Sequence, residues 1–209
     1  MKHYDAERLN DGTATHIFYV DGFLRQANHT LRRLMIEAFP TIAIERKLRH
    51  TVLNFKRSFD SNEIIISTLR NPFDSMNSIC GYREIDPLDI NEIKLYLDHY
   101  LYLHEYLLTN KDNIIFINFN DIIKNPIKIL LFLIKKYNIK EYDIEEYKSL
   151  SETPFFTERY EDGSYEHNKT STFENGHKLN WILESDMYKE AKKIYDRIST
   201  EAIKLEDTI

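Results

Sequence analysis

Residues 63–69, Glu-Ile-Ile-Ile-Ser-Thr-Leu, form a short β-branched run with no alternation of apolar and polar positions. Such a run is too short for an ordinary helix and has no face fit for water, so it reads as a strand covered on both sides. The arrangement that covers strands in this way is a parallel sheet between helical layers. Residues 114–118 (Ile-Ile-Phe-Ile-Asn) repeat the pattern, and residues 16–20 and 41–44 read as two further strands. Helical spacing fills the intervals. Leu31, Leu34, Met35 and Ala38 form a stripe over residues 30–39, which Pro40 closes. Leu48, Val52, Phe55 and Phe59 mark a helix over 48–59, and Asn71-Pro72 supplies a cap and a first-turn proline for another. Residues 91–108, 126–137 and 184–203 read as helices and 150–182 as irregular. Strand and helix in alternation predict an α/β fold, a three-layer parallel sheet with helices on both faces, in a single domain over residues 1–209. Ligands in such sheets bind beyond the carboxyl ends of strands, which directs attention to the loops after Val20 and Leu69.

Composition narrows the ligand. A net charge of −6 and the lack of a basic stripe argue against nucleic acid, since Arg46, Lys47 and Arg49 form only a short run beside Glu45. An anionic ligand therefore needs a local basic site. The single cysteine, Cys80, allows no internal disulfide and suits a reducing compartment. The longest apolar run, 127–134, contains Lys128 and falls far short of a membrane span, and the first residues carry no leader-like apolar run. A cytoplasmic protein without a membrane partner is expected.

The first loop runs from Asp21 through Gly22, Phe23, Leu24, Arg25, Gln26, Ala27, Asn28 and His29 into the helix at Thr30 and Leu31. A strand enters and a helix leaves, so open N–H groups and the positive end of the helix dipole face an incoming anion. Arg25 adds a forked cationic donor, and Asn28 and His29 carry side chains able to donate. The Gly-Lys-Ser/Thr ending of a nucleotide triphosphate loop is missing. In the second loop, Arg70 falls at the strand's carboxyl end, and Ser78 lies two turns into the next helix, on one face with Asp74. An arginine and a hydroxyl suit a phosphate monoester. Each loop alone reads equally well as an ordinary turn or a helix cap beside a solvated arginine.

Together the two segments carry a resemblance. Arg70-Asn-Pro-Phe-Asp-Ser-Met-Asn-Ser78 resembles the sulfotransferase motif Arg-x-Pro-x-Asp-x-x-x-Ser, and Gly22-Phe-Leu-Arg-Gln-Ala-Asn-His-Thr-Leu31 resembles its partner, Gly-x-Pro-Lys/Arg-Ser-Gly-Thr-Thr-x-Leu. Residues 115–126 are similar to the family's strand ending in Tyr-Glu-Asp-Leu before a proline, and residues 173–181 sit where it carries a glycine-containing loop. The resemblance implies a P-loop NTPase-like sulfotransferase fold and the donor 3′-phosphoadenosine 5′-phosphosulfate (PAPS), with no metal. It implies Arg25, Gln26, Ala27, Asn28, His29 and Thr30 around the 5′-phosphosulfate, with Arg25 at the bridging oxygen, and Arg70 and Ser78 on the 3′-phosphate. For the catalytic base, His50 resembles the histidine of cytosolic members and Glu45 the glutamate of tyrosylprotein members; both stay open. The acceptor would be a small molecule or glycan bearing a hydroxyl or amine, with its pocket expected from residues 83–92 and 150–180. The first motif departs at Leu24, Gln26, Ala27 and the pair Asn28-His29, which removes one glycine and two threonine hydroxyls.

Two other readings share the scaffold. A small P-loop kinase would need a magnesium-binding acid after a strand, for which Asp121 is the candidate. A non-catalytic nucleotide-binding module would fit the altered first loop. His99 and His104 are not spaced to stack on one helical face, and no metal site is expected from them.

Overall fold

The computed structural model describes residues 12–45, 50–139 and 176–205. Strands β1 (His16–Gly22), β2 (Ile42–Ile44), β3 (Ile64–Leu69) and β4 (Ile114–Asn118) form a wholly parallel sheet in the order β2-β1-β3-β4. The α/β fold expected from the sequence is observed, with helices on both faces.

Alternation along the strands builds two cores. Phe18, Val20, Ile66, Ile115 and Ile117 face one layer, where they meet Leu31, Leu34 and Met35 of α1 (Asn28–Ala38), Ile122 of α5 (Phe119–Lys124), and Ile129 and Leu133 of α6 (Pro126–Tyr137). Tyr19, Ile65, Leu69 and Phe116 face the other. There they meet Phe55 of α2 (Val52–Asp60), Met76 and Ile79 of α3 (Pro72–Arg83), Leu97, Tyr100 and Leu103 of α4 (Ile90–Thr109), and Ala191 and Ile198 of α7 (Asp186–Ser199). Each fully buried Val, Leu, Ile, Phe or Met among them contributes about 1.5–3 kcal/mol of transfer free energy. The covering of both faces explains why β3 and β4 carry no polar alternation.

Local signals set the helix starts. The Asn71 side chain accepts from Phe73 N–H with Pro72 in the first turn, Asp89 accepts from Glu92 N–H, and Ser185 accepts from Tyr188 N–H. Several boundaries differ from those expected, and α2 begins at Val52, with His50 and Thr51 before it not helical. Helix α1 begins at Asn28 rather than residue 30, because Ala27 takes the left-handed conformation at the cap and lets the helix start early. Strand β1 continues through Asp21 and Gly22, which pair with Ser67 and Thr68. The closing helix is shortened by a 3₁₀ segment, Gly176–Glu184, before it. Arg46, Lys47 and Arg49, the start of the helix expected over 48–59, and the expected acceptor segment up to residue 175 lie outside the described residues. No helix among the described residues is long and apolar enough to cross a membrane.

The strand order fixes where a ligand belongs. From β1 the chain crosses to β2 on one side and then to β3 on the other, so the winding reverses between β1 and β3. Their carboxyl ends open the crevice at that switch point. Gly22 sits there for lack of room. A Cβ on it would come within 2.5 Å of Thr68 Oγ1, 2.7 Å of the Thr68 carbonyl oxygen and 2.9 Å of Gln26 Oε1.

Candidate functional site

The first loop leaves β1 at Gly22 and enters α1 at Asn28, and two of its residues, Arg25 (φ 63°) and Ala27 (φ 64°), take the left-handed region. Internal bonds hold this path. Phe23 N–H donates to Gln26 Oε1 at 3.0 Å, and Asn28 Nδ2 donates to the Phe23 carbonyl at 3.0 Å. Thr68 Oγ1 of β3 donates to Asn28 Oδ1. Gln26 and Asn28 are both buried. Both ends of the Asn28 amide are thus engaged, Nδ2 through one hydrogen within the loop and Oδ1 with β3. What Asn28, exposed His29 and Thr30 offer an anion is the opening turn of a helix, whose N–H groups and dipole point toward it.

Behind the loop stands His104 of α4, fully buried. Its Nδ1 lies 2.7 Å from the Tyr100 carbonyl and its Nε2 3.5 Å from Gln26 Nε2. A carbonyl only accepts, so Nδ1 carries the proton and Nε2 accepts from the Gln26 amide. The ring stacks on Tyr100 with centroids 3.8 Å apart and an interplanar angle of 12°. Burial, against the opposing effect of the Tyr100 carbonyl, depresses its pKa to about 4 and keeps it neutral.

The two motifs meet in front of the loop. Arg25 Nε donates to Ser78 Oγ at 3.2 Å across 53 residues of sequence, and Arg70 Nη1 donates to the Arg25 carbonyl at 3.0 Å. Each guanidinium is braced by an aromatic face: Arg25 lies 4.7 Å from the Tyr82 ring centroid and Arg70 4.1 Å from that of Phe119. Tyr100 Oη donates to the Arg70 carbonyl at 2.8 Å, which fixes the start of the second loop. Burial lowers the Arg70 pKa, exposed Asp74 opposes that effect, and the nearby Arg25 charge adds to it. Two guanidiniums are thus held within each other's field, a cost that a bound anion relieves. Ser78 is 2% exposed, and its Oγ accepts from Arg25.

His50 stands at the other side of Gly22. Its Nδ1 lies 2.7 Å from the Gly22 carbonyl and 2.7 Å from Asp21 Oδ1, and its own N–H donates to Asp21 Oδ2 at 3.1 Å. His99 Nε2 of α4 donates to the His50 carbonyl at 2.7 Å. Burial disfavours charge on the imidazole, but the hydrogen bond and charge of Asp21 outweigh it and raise the His50 pKa above its ordinary value. Glu45, the other candidate base, follows β2; its N–H donates to the Phe18 carbonyl at 2.9 Å, and its carbonyl accepts from buried Arg32 at 2.9 Å. Of the two, His50 is the one bonded directly to the residue where the first loop begins.

Of the residues named from the sequence, Arg25, Ser78 and Arg70 are joined by hydrogen bonds and His50 lies against Gly22, while Asp21, Tyr100 and His104, given no part in the site from the sequence, support them. The available signal for Asp21 was an acid that extends an apolar strand run, Ile-Phe-Tyr-Val-Asp, instead of ending it. Comparison with protein-family models, curated proteins and solved structures finds no match to this chain. Among the described residues no group of three or more His, Cys, Asp or Glu side chains gathers in a way that suits a metal ion.

Proposed function

We propose that this chain is a PAPS-dependent sulfotransferase of the P-loop NTPase-like type, acting in the cytoplasm on a hydroxyl or amine of a small-molecule or glycan acceptor. The observation that carries the reading is the Arg25–Ser78 hydrogen bond. It joins the two motif-like segments at the switch point, where a nucleotide would lie along both. The donor set fits a nucleotide with phosphate groups at two positions. The first turn of α1 and Arg25 would take the 5′-phosphosulfate, and Arg70 with Ser78 the 3′-phosphate. When bound, the donor supplies a sulfonate whose S–O bond to the 5′-phosphate breaks, with the electron pair leaving on that phosphate.

The chain's own residues do the rest. Arg25 offers a fixed positive charge where the leaving phosphate gains negative charge, in a geometry held by Ser78 and Tyr82. Arg70 is oriented by Phe119 and the Arg25 carbonyl. His50 is the base for the acceptor proton. A second reading, a nucleotide-binding module without turnover, is favoured by one observation: Ala27 stands in the left-handed conformation at a position where the resembled motif has glycine.

Titration with 3′-phosphoadenosine 5′-phosphate tests the assignment. Arg70→Ala is expected to weaken binding about 10- to 100-fold, the cost of a charge-assisted hydrogen bond of about 1.5–3 kcal/mol. Equal affinity in the variant contradicts it.

A further inference from the structure

Asp21 has no place in either motif-like segment, yet four donors converge on it. It is fully buried, and its carboxylate accepts from Tyr19 Oη at 2.7 Å, Gly22 N–H at 2.8 Å, His50 N–H at 3.1 Å and His50 Nδ1 at 2.7 Å. Every one of these contacts is accepted, as an ionised carboxylate does. His50 in turn stands at φ 52°, a left-handed conformation unfavourable for a residue with a Cβ. It is held there from both ends, its N–H by Asp21 and its carbonyl by His99. A surface-loop histidine needs no such fixing, and backbone strain maintained by buried bonds points to a side chain that must be aimed.

The tautomer follows from the same contacts. The Gly22 carbonyl, 2.7 Å from Nδ1, cannot donate, so Nδ1 carries the proton and the lone pair of the neutral ring is on Nε2. We propose that Asp21 is the positioning residue of this site, fixing the imidazole of His50 so that Nε2 takes the proton from the acceptor's hydroxyl or amine. This rests on the sulfotransferase reading for the identity of the acceptor, and on the geometry alone for the dyad. The balance is one proton: it leaves the acceptor's oxygen or nitrogen, rests on Nε2, and returns to solvent. While it rests there, the imidazolium faces the Asp21 carboxylate, which stabilises it as a buried counter-charge. The other groups that bear on His50 are Tyr19 on β1, whose hydroxyl shares Asp21; Arg32 on α1, whose charge opposes protonation; and His99 on α4, bonded to its carbonyl.

Long-range ¹H–¹⁵N NMR of the imidazoles tests this without turnover, with His50→Gln used to assign the signal. Wild-type His50 is expected as the Nδ1–H tautomer, titrating above its ordinary value near 6.5. In Asp21→Asn the midpoint is expected to fall and the tautomer to become mixed. Turnover should drop about 10- to 100-fold, as for other residues that orient an acting group, and the acidic limb of the pH–rate profile should move to lower pH. An unchanged His50 titration in Asp21→Asn overturns the proposal. So does a wild-type His50 protonated on Nε2, a result that stands even where the variant fails to fold. The donor reading fails separately: if wild-type protein does not bind 3′-phosphoadenosine 5′-phosphate while His50 shows the expected tautomer, the dyad stands and the sulfotransferase assignment falls.

Discussion

Ala27 shows how much one side chain constrains this loop. It occupies the left-handed region at the cap of α1, where a Cβ costs about 1–2 kcal/mol. Replacement by glycine removes that strain but adds about 0.5–1 kcal/mol of unfolded-state freedom. Relief of strain outweighs the added freedom, so Ala27→Gly is expected to raise the melting temperature by roughly 2 °C, the shift that follows from a gain somewhat under 1 kcal/mol in a chain of this size. A lower melting temperature contradicts the strained geometry. The same residue marks a limit of sequence reading. Comparison with the resembled motif exposes a missing glycine, but no local pattern states that φ at this position is positive. Asn28 shows a related limit. It reads as a ligand donor because it is polar and sits at a helix start, whereas its side chain is engaged by Thr68. That partner exists only once β1 and β3 pair with Gly22 opposite Thr68, and register is a property of the sheet, not of either segment.

Helix α4 acts as the back wall of the site. Tyr100 holds the Arg70 carbonyl, His104 holds Gln26, and His99 holds the His50 carbonyl, so one helix steadies both loops and the candidate base. From the sequence, these histidines raised only the question of a metal site, since the loops they support are distant along the chain. His104 gives this wall a pH signature. Its folded pKa, about 4, lies below the ordinary value of 6.5. The unfolded chain then binds more protons below pH 6.5, so the stability His104 contributes is fully present above that pH and is lost as pH falls toward 4. The loss amounts to about 3 kcal/mol at most. His50 works in the opposite sense: its raised pKa gives stability that is present below pH 6.5 and lost as pH rises through the folded value. Denaturant midpoints between pH 7 and pH 4.5 should fall in the wild type and fall less steeply in His104→Gln. Parallel slopes in the two proteins contradict a buried neutral His104.

For the molecule as a whole, the fold was the most legible layer. Unbroken apolar runs at β3 and β4 announced strands covered on both faces, and the helical stripes between them supplied the covering layers. The parallel sheet follows from that alternation. Strand order does not: that β1 lies beside β3 with β2 outside it is set by packing between distant segments, and it is this order that puts the two loops at one crevice. Arg25 and Arg70 stood out only as a pair, because each loop alone reads equally well as a turn beside a solvated arginine and only the two segments together carry the resemblance. Asp21 carried only the faint signal of an acid at the end of an apolar run, and the donors that surround it come from residues brought together by folding. The central claim is that this crevice holds a nucleotide by phosphates at both its 5′ and 3′ positions. Calorimetric titration of the wild-type protein with 3′-phosphoadenosine 5′-phosphate, beside 5′-AMP and ATP–Mg²⁺, tests it most directly. The account predicts binding that depends on the 3′-phosphate and is much weaker for the other two nucleotides; equal binding of 5′-AMP, preference for ATP–Mg²⁺, or no binding at all contradicts it.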